Sequence, residues 1–308
     1  MVDATDSVAK ENLSPAKTLA AAAPFAFLAL LGGNAALAAG PLFVRLADVG
    51  PVAAGFWRLA LALPFLAFFA WRQGNGPTGW SGIRNALGLA AIGGLFFAAD
   101  LASWHLGILQ TKMANATLFG NAASLILAAT TLVLARRLPF RMETLALLLA
   151  GAGAVLLMRE SGQQGQARLI GDLLCLLAGV LYAGYMLTMQ RARGSLASWP
   201  TLALSTAAGV LPLLLFAALL GETIVPTNWT PVIALAFTSQ IVGQGLLIYA
   251  LPHFSALVVG LTLLTQPALA ALIGWLVYGE RLTLIELLGG ALVAAALVLV
   301  RLPRKAAA

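Results

Sequence analysis

The 308-residue chain is 61% hydrophobic and only 9% charged, with a mean hydropathy of +0.93. A soluble core cannot use that much apolar surface, so the composition excludes an ordinary globular enzyme and calls for lipid around it. The net charge of +7 and a pI near 10.2 would suit nucleic acid, but the basic residues fall in short breaks between apolar runs, where they act as orientation signals.

Residues 1–18 are polar and read as a disordered cytoplasmic tail. Apolar runs of about 17–25 residues, enough to cross a bilayer as a helix, follow at 19–44, 52–71, 85–109, 113–135 and 142–158. An external linker is expected at 160–168. Five more runs then lie at 169–190, 199–220, 231–251, 255–278 and 284–300, before a short cytoplasmic tail at 302–308. None alternates with the period of two that marks a barrel strand. The fold class is all-α integral membrane, with ten transmembrane helices.

The two sets of five share one plan. Val44-Arg45 closes the first run as Gln190-Arg191 closes the sixth, and Pro64 and Pro212 interrupt the second and seventh. Arg136-Arg137-Leu138-Pro139-Phe140 breaks the first half where Gly279-Glu280-Arg281-Leu282-Thr283 breaks the second. Residues 19–159 and 169–301 therefore read as two repeats, inverted because each holds an odd number of helices. Inverted repeats are the sequence signature of secondary transporters. With the N-terminus inside, Lys10, Lys17, Arg72, Arg84, Arg136, Arg137, Arg141, Arg191, Arg193, Arg301, Arg304 and Lys305 face the cytoplasm, against Arg45, Lys112, Arg159, Arg168 and Arg281 outside. That distribution obeys the positive-inside rule and predicts an inner-membrane protein with both termini cytoplasmic. Ala36-Leu37-Ala38 resembles a signal-peptide cleavage site. Cleavage there would remove most of one repeat's first helix and spare its counterpart, so the segment is expected to stay.

Catalytic and cofactor motifs are missing: no phosphate loop, no dinucleotide fingerprint, no His-Glu-x-x-His and no nucleophile elbow. Cys175 is the only cysteine, which excludes an intrachain disulfide and a cysteine-based metal site. His105 and His253 are far apart, each near a helix end, and read as interfacial or hydrogen-bonded residues. Neither a metal nor a cofactor is expected.

Polarity inside the membrane carries the functional signal. Asp100 lies well within the third helix and Arg58 within the second, where a charge costs about 2.5–3.5 kcal/mol on insertion scales. Either the two pair structurally or Asp100 serves transport; both readings stay open. Asp100, Ser103, Trp104 and Gly107 share one helical stripe, as do Gln240, Gly243 and Gln244 on the eighth helix. Gly179, Tyr182, Tyr185 and Met186 make an aromatic stripe on the sixth. Asn34, Asn121 and Thr265-Gln266-Pro267 add polar groups from the first, fourth and ninth. The candidate substrate site is Asn34, Asp100, Ser103, Trp104, Asn121, Tyr182, Tyr185, Gln240 and Gln244, with Arg58 as charge partner or structural residue. The fifth and tenth helices instead carry Ala150-x-x-x-Ala154 and Gly290-x-x-x-Ala294, small-residue spacings suited to close packing as a scaffold.

The five-helix module resembles the EamA domain of the drug/metabolite transporter superfamily. Pro267, Tyr278-Gly279-Glu280-Arg281-Leu282-Thr283 and Gly289-Gly290 resemble its closing signature, and Phe56-Trp57-Arg58 its arginine position. The first repeat departs from the pattern, with Ala123 near where Pro267 would fall and Arg136-Arg137-Leu138 in place of Gly-Glu-Arg-Leu. Phe96-Phe97-Ala98-Ala99-Asp100 and the run Ala178–Tyr185 are similar to the branch of YddG-type exporters of aromatic and other neutral amino acids. The resemblance implies an exporter working by alternating access in the lipid bilayer, as a functional monomer, on a small-molecule substrate, an amino acid first. Alternatives are a proton-coupled exporter of cationic drugs, with Asp100 exchanging the proton, and a polytopic lipid-modifying enzyme. No nucleic-acid partner is expected.

Overall fold

The computed structural model describes residues 15–74, 80–123, 125–126, 129–130, 138–192, 196–250, 253–254, 258 and 262–299, and among these all regular structure is helical. The first span is α1 (Pro15–Ala38) followed by α2 (Gly40–Leu46). It breaks at Ala39 because Pro41, at the start of α2, has no N–H to continue the ladder. The second span, α3 (Pro51–Gln73), also starts on a proline and contains Pro64. Its free N-terminal amides at Val52 and Ala53 donate to Glu222 at 3.3 and 2.8 Å, so a carboxylate from the other half caps it. The third span is α4 (Trp80–Ile108), and the described start of the fourth is α5 (Met113–Gly120).

The fifth and sixth spans are α6 (Arg141–Gln164) and α7 (Gln166–Ala192). The linker expected at 160–168 is mostly helix: only Gly165 interrupts it, at φ 138°, in the left-handed region that favours glycine. Beyond α8 (Ser198–Leu219), which contains Pro212, the eighth span runs as α9 (Trp229–Leu235), a π-helical stretch (Ala236–Gly243) and α10 (Gln244–Ala250). Two shorter helices, α11 (Thr265–Tyr278) and α12 (Leu284–Leu299), complete the described chain.

Among the described residues seven helices are long and apolar enough to cross a membrane, so the protein is a multi-pass membrane protein. They correspond to the expected first, second, third, fifth, sixth, seventh and eighth segments. Residues 131–135 of the fourth expected segment and much of 255–261 of the ninth lie outside the described residues. The tenth is a helix of only 16 residues, about 24 Å long against a hydrocarbon core of about 30 Å.

Contacts run mainly between the halves. α4 packs on α7 and α8, α3 on α8, α5 on α11, α6 on α12, and α1 on α10 and α11. Large apolar side chains such as Phe65, Trp71, Leu211 and Leu219 point outward, where lipid covers them. The α6–α12 pairing bears out the scaffold expectation with a shift of register. The close approach is at Gly153 and Gly289: a Cβ on Gly153 would lie 2.7 Å from the Gly289 carbonyl oxygen. A Cβ on Gly290 would meet only Leu118, at 3.8 Å. Small residues let helix backbones approach where lipid gives no hydrophobic drive to associate.

Candidate functional site

A cavity of about 250 Å³ lies among the spans, lined by residues of α1, α3, α4, α5, α7, α10 and α11. Arg58 and Asp100 both line it, are 3% and 8% exposed, and form no ion pair with each other; the ion pairs among the described residues lie elsewhere. Arg58 Nε instead donates to Gln240 Oε1 at 3.1 Å. Gln240 sits in the π-helical stretch, which widens one turn and turns its amide toward α3. Such π-bulges recur at functional sites.

Of the residues expected at the site, Asp100, Trp104, Asn121, Tyr182 and Gln244 line the cavity with Arg58. Trp104 is fixed by its indole N–H, which donates to the Ala116 carbonyl at 3.1 Å and leaves the ring to the cavity. Tyr182 lies beside Phe97 and Tyr185, with ring centroids 6.5 and 5.5 Å away. Gln244 approaches its hydroxyl. Asn121 Nδ2 donates to the Leu263 carbonyl at 3.4 Å.

Asn34, Gln240, Tyr185 and Ser103 do not line the cavity. Asn34 donates to the Leu30 carbonyl at 2.9 Å and accepts from Gln266 Nε2 at 2.6 Å, so its amide is spent on holding Gln266 in place. Gln240 stands behind Arg58. Tyr185 stacks on Phe97 at 4.8 Å and so supports the wall. Ser103 is half-buried outside the lining. Gln266, Phe97, Thr117, Leu37 and Met186 join the lining instead. The sequence signal for Gln266 and Met186 was there, in the polar step before Pro267 and in the aromatic stripe.

His105 is buried, and its Nδ1 lies 2.9 Å from the Pro51 carbonyl oxygen. A carbonyl only accepts, so the proton is on Nδ1, as expected of a hydrogen-bonded structural histidine. His253 contacts the Tyr249 carbonyl within its own turn. No cluster of three or more potential metal-ligating His, Cys, Asp or Glu residues occurs among the described residues.

Ion pairs and hydrogen bonds join the two halves of the chain at the end of the molecule away from α3's C-terminus. Arg45 Nη1 meets Glu280 Oε1 at 2.7 Å, while its Nε and Nη2 donate to the carbonyls of Ile108 and Thr111. Lys112 Nζ donates to both oxygens of Glu286, at 2.7 and 2.6 Å, and to the Arg281 carbonyl at 2.8 Å. Asp48 accepts from the Thr227 side chain and from the amides of Thr227 and Asn228 at 2.9 and 2.8 Å. These bonds, the Thr227 hydroxyl foremost, hold its carboxyl below the ordinary carboxylate range. Arg45 and Lys112 were read from sequence as orientation charges in loops. They turn out to be the cations of cross-half ion pairs.

A bundle of apolar spans around a small cavity that holds Arg58 and Asp100 apart is the architecture of a polytopic membrane protein with a polar interior site. Residues 169–302 match the EamA-like transporter family. The match covers the second half of the chain, which is similar to an EamA-like domain. No curated protein matches the sequence. One solved crystal structure aligns over 90% of this chain and 97% of its own, with a TM-score of 0.58 and 18% identity; that likeness concerns the fold alone.

Proposed function

We propose that the protein is an inner-membrane exporter of neutral or aromatic amino acids, working by alternating access, with the cavity between Arg58 and Asp100 as its substrate site. The observation that carries this reading is that the two charges share one cavity without pairing. A zwitterion supplies what each lacks: its carboxylate meets the Arg58 guanidinium and its ammonium meets Asp100. Of the expected site residues outside the lining, Asn34 is engaged with Leu30 and Gln266 and Gln240 stands behind Arg58 with its Oε1 held by the guanidinium, so the carboxylate partner in this reading is Arg58. Phe97, Trp104 and Tyr182 give the side chain an aromatic wall.

Size and charge favour this over cationic drugs. About 250 Å³ is below the roughly 300–1,000 Å³ of drug-sized pockets, and Arg58 would repel a cation seated at Asp100. Pairwise contacts also suit two inverted repeats. Exchanging the first five spans for the second five maps α4 on α7 onto α1 on the eighth span, while the second–seventh and fifth–tenth pairings map onto themselves.

The test is counterflow of labelled amino acids and cationic dyes by purified protein in liposomes. Phenylalanine and other neutral amino acids should be carried, and Asp100→Asn or Arg58→Gln should abolish transport while the protein stays folded. Transport of dyes but of no amino acid would overturn the reading.

A further inference from the structure

A second polar centre lies outside the cavity, where the halves join. Asp172, on the second turn of α7, is fully buried. Thr111 Oγ1 donates to its Oδ1, but Oδ2 has no hydrogen-bond partner. Ser161 on α6 and Asn115 on α5 face the same carboxylate, yet neither completes a hydrogen bond to Oδ2; the Asn115 amide spends a proton on Ser161 Oγ at 3.4 Å. A buried carboxylate oxygen without a partner costs several kcal/mol unless something positive meets it.

Among the described residues no basic side chain forms an ion pair with it. Lys112 is saturated by Glu286 and the Arg281 carbonyl. Arg45 is saturated by Glu280 and two carbonyls, and Arg168 turns to Gln164 on the exposed side. Buried around the same junction are three carboxylates, Asp172, Glu160 and Glu286, against one lysine, Lys112. The centre is short of positive charge, and its remaining groups offer hard oxygens: one carboxylate, two hydroxyls and an amide. Such a set suits a small monovalent cation, since soft metals prefer thiolate and imidazole and calcium takes more carboxylates. A separate cavity of about 260 Å³ among α5, α11 and α12 is lined in part by Asn115 and Glu286.

We propose that Asp172, Thr111, Ser161 and Asn115 form a sodium-binding site, distinct from the Arg58–Asp100 cavity. Sodium there neutralises the junction and stabilises the packing of α4, α5, α6 and α7 around it. The site stands independently of which solute the cavity carries.

The test measures thermal unfolding of the full-length protein in detergent, with sodium chloride replaced stepwise by choline chloride at constant ionic strength. Direct binding of radiolabelled sodium is measured beside it. Wild type should gain at least about 2 °C, saturably, between 1 and 100 mM sodium. Asp172→Asn should lose the gain and the bound label. Should that variant fold poorly, Thr111→Ala and Ser161→Ala should shift the sodium midpoint at least about threefold upward. An equal sodium response in these variants, or none in wild type up to 300 mM, overturns the site. A stability change with pH that needs no sodium and vanishes in Asp172→Asn would assign a proton there and also overturn it. Asp100→Asn should keep the sodium response whether or not it transports, so failure of the cavity reading and failure of this one are separable.

Discussion

Replacing Lys112 by methionine should be among the most damaging single changes in the chain, and the damage should be largely repaired by a second change at Glu286. The two side chains are 7% and 1% exposed, and all three ammonium protons are used, two on Glu286 and one on the Arg281 carbonyl. Lys112→Met leaves the Glu286 carboxylate buried without a cation, a situation that costs about 3–5 kcal/mol. At about 2–4 °C per kcal/mol for a chain of this order of size, the midpoint should fall by roughly 6–20 °C. Glu286 has a second duty: it accepts from the Thr283 amide at 2.7 Å, while Thr283 Oγ1 accepts from the Glu286 amide at 3.2 Å. This reciprocal box caps α12 and is worth about 1 kcal/mol. Lys112→Met combined with Glu286→Leu should therefore lose only about 1–2 kcal/mol, the cap and some packing, far less than the sum of the singles. Thermal unfolding of the four proteins in one detergent closes the cycle. Additive losses, or a Lys112→Met protein as stable as wild type, would refute the argument that burial of the pair sets the cost.

Tyr182→Ala removes a cavity-lining ring; aromatic contacts worth about 0.5–1.5 kcal/mol predict up to roughly tenfold weaker competition by phenylalanine and a much smaller change for threonine. Equal losses for both would make the ring a packing element only. Gly153→Val drives a side chain into the Gly289 carbonyl and should cost about 1–3 kcal/mol, whereas Gly290→Ala, facing Leu118 at 3.8 Å, should leave the melting point unchanged; similar melting points for the two would disprove the register of the α6–α12 contact. Because its hydrogen bonds lower the Asp48 pKa, that residue's contribution is full above the ordinary value of 3.8 and fades as pH falls through the lowered one. The melting point of Asp48→Asn should accordingly depend less on pH between 5 and 3 than that of wild type, and parallel curves would count against the clamp.

What the sequence disclosed and what it hid divide along chain distance. Helical stripes are local, so Asp100 with Trp104 and Tyr182 with Met186 could be read from i, i+4 spacing and do share the cavity. Which stripe residue faces inward and which supports a neighbour depends on partners from other helices. For that reason Tyr185 and Gln240 fell one step behind the lining. The pairing left open between Arg58 and Asp100 does not form, for the same reason: a glutamine 182 positions away takes the guanidinium Nε. Arg45 and Glu280 are 235 residues apart, and no periodicity announces such a pair. The π-helical stretch was equally silent, because Ala236–Gly243 is as apolar and small as ordinary membrane helix. The break at Gly165 was legible as a junction but not as a single residue, since polar Gln163, Gln164 and Gln166 look like loop and are helix.

That one-residue junction makes α7 a lever. It carries 27 residues, about 40 Å at 1.5 Å per residue, with its fulcrum at Gly165 beside a helix anchored to α12. A tilt of about 10° there would carry the far end of α7 by roughly 7 Å and Tyr182, about 25 Å along, by roughly 4 Å. Displacement of that size exceeds the thickness of an aromatic ring, so a small angular change at a fixed pivot is enough to redraw the cavity wall while the α6–α12 pair stays still.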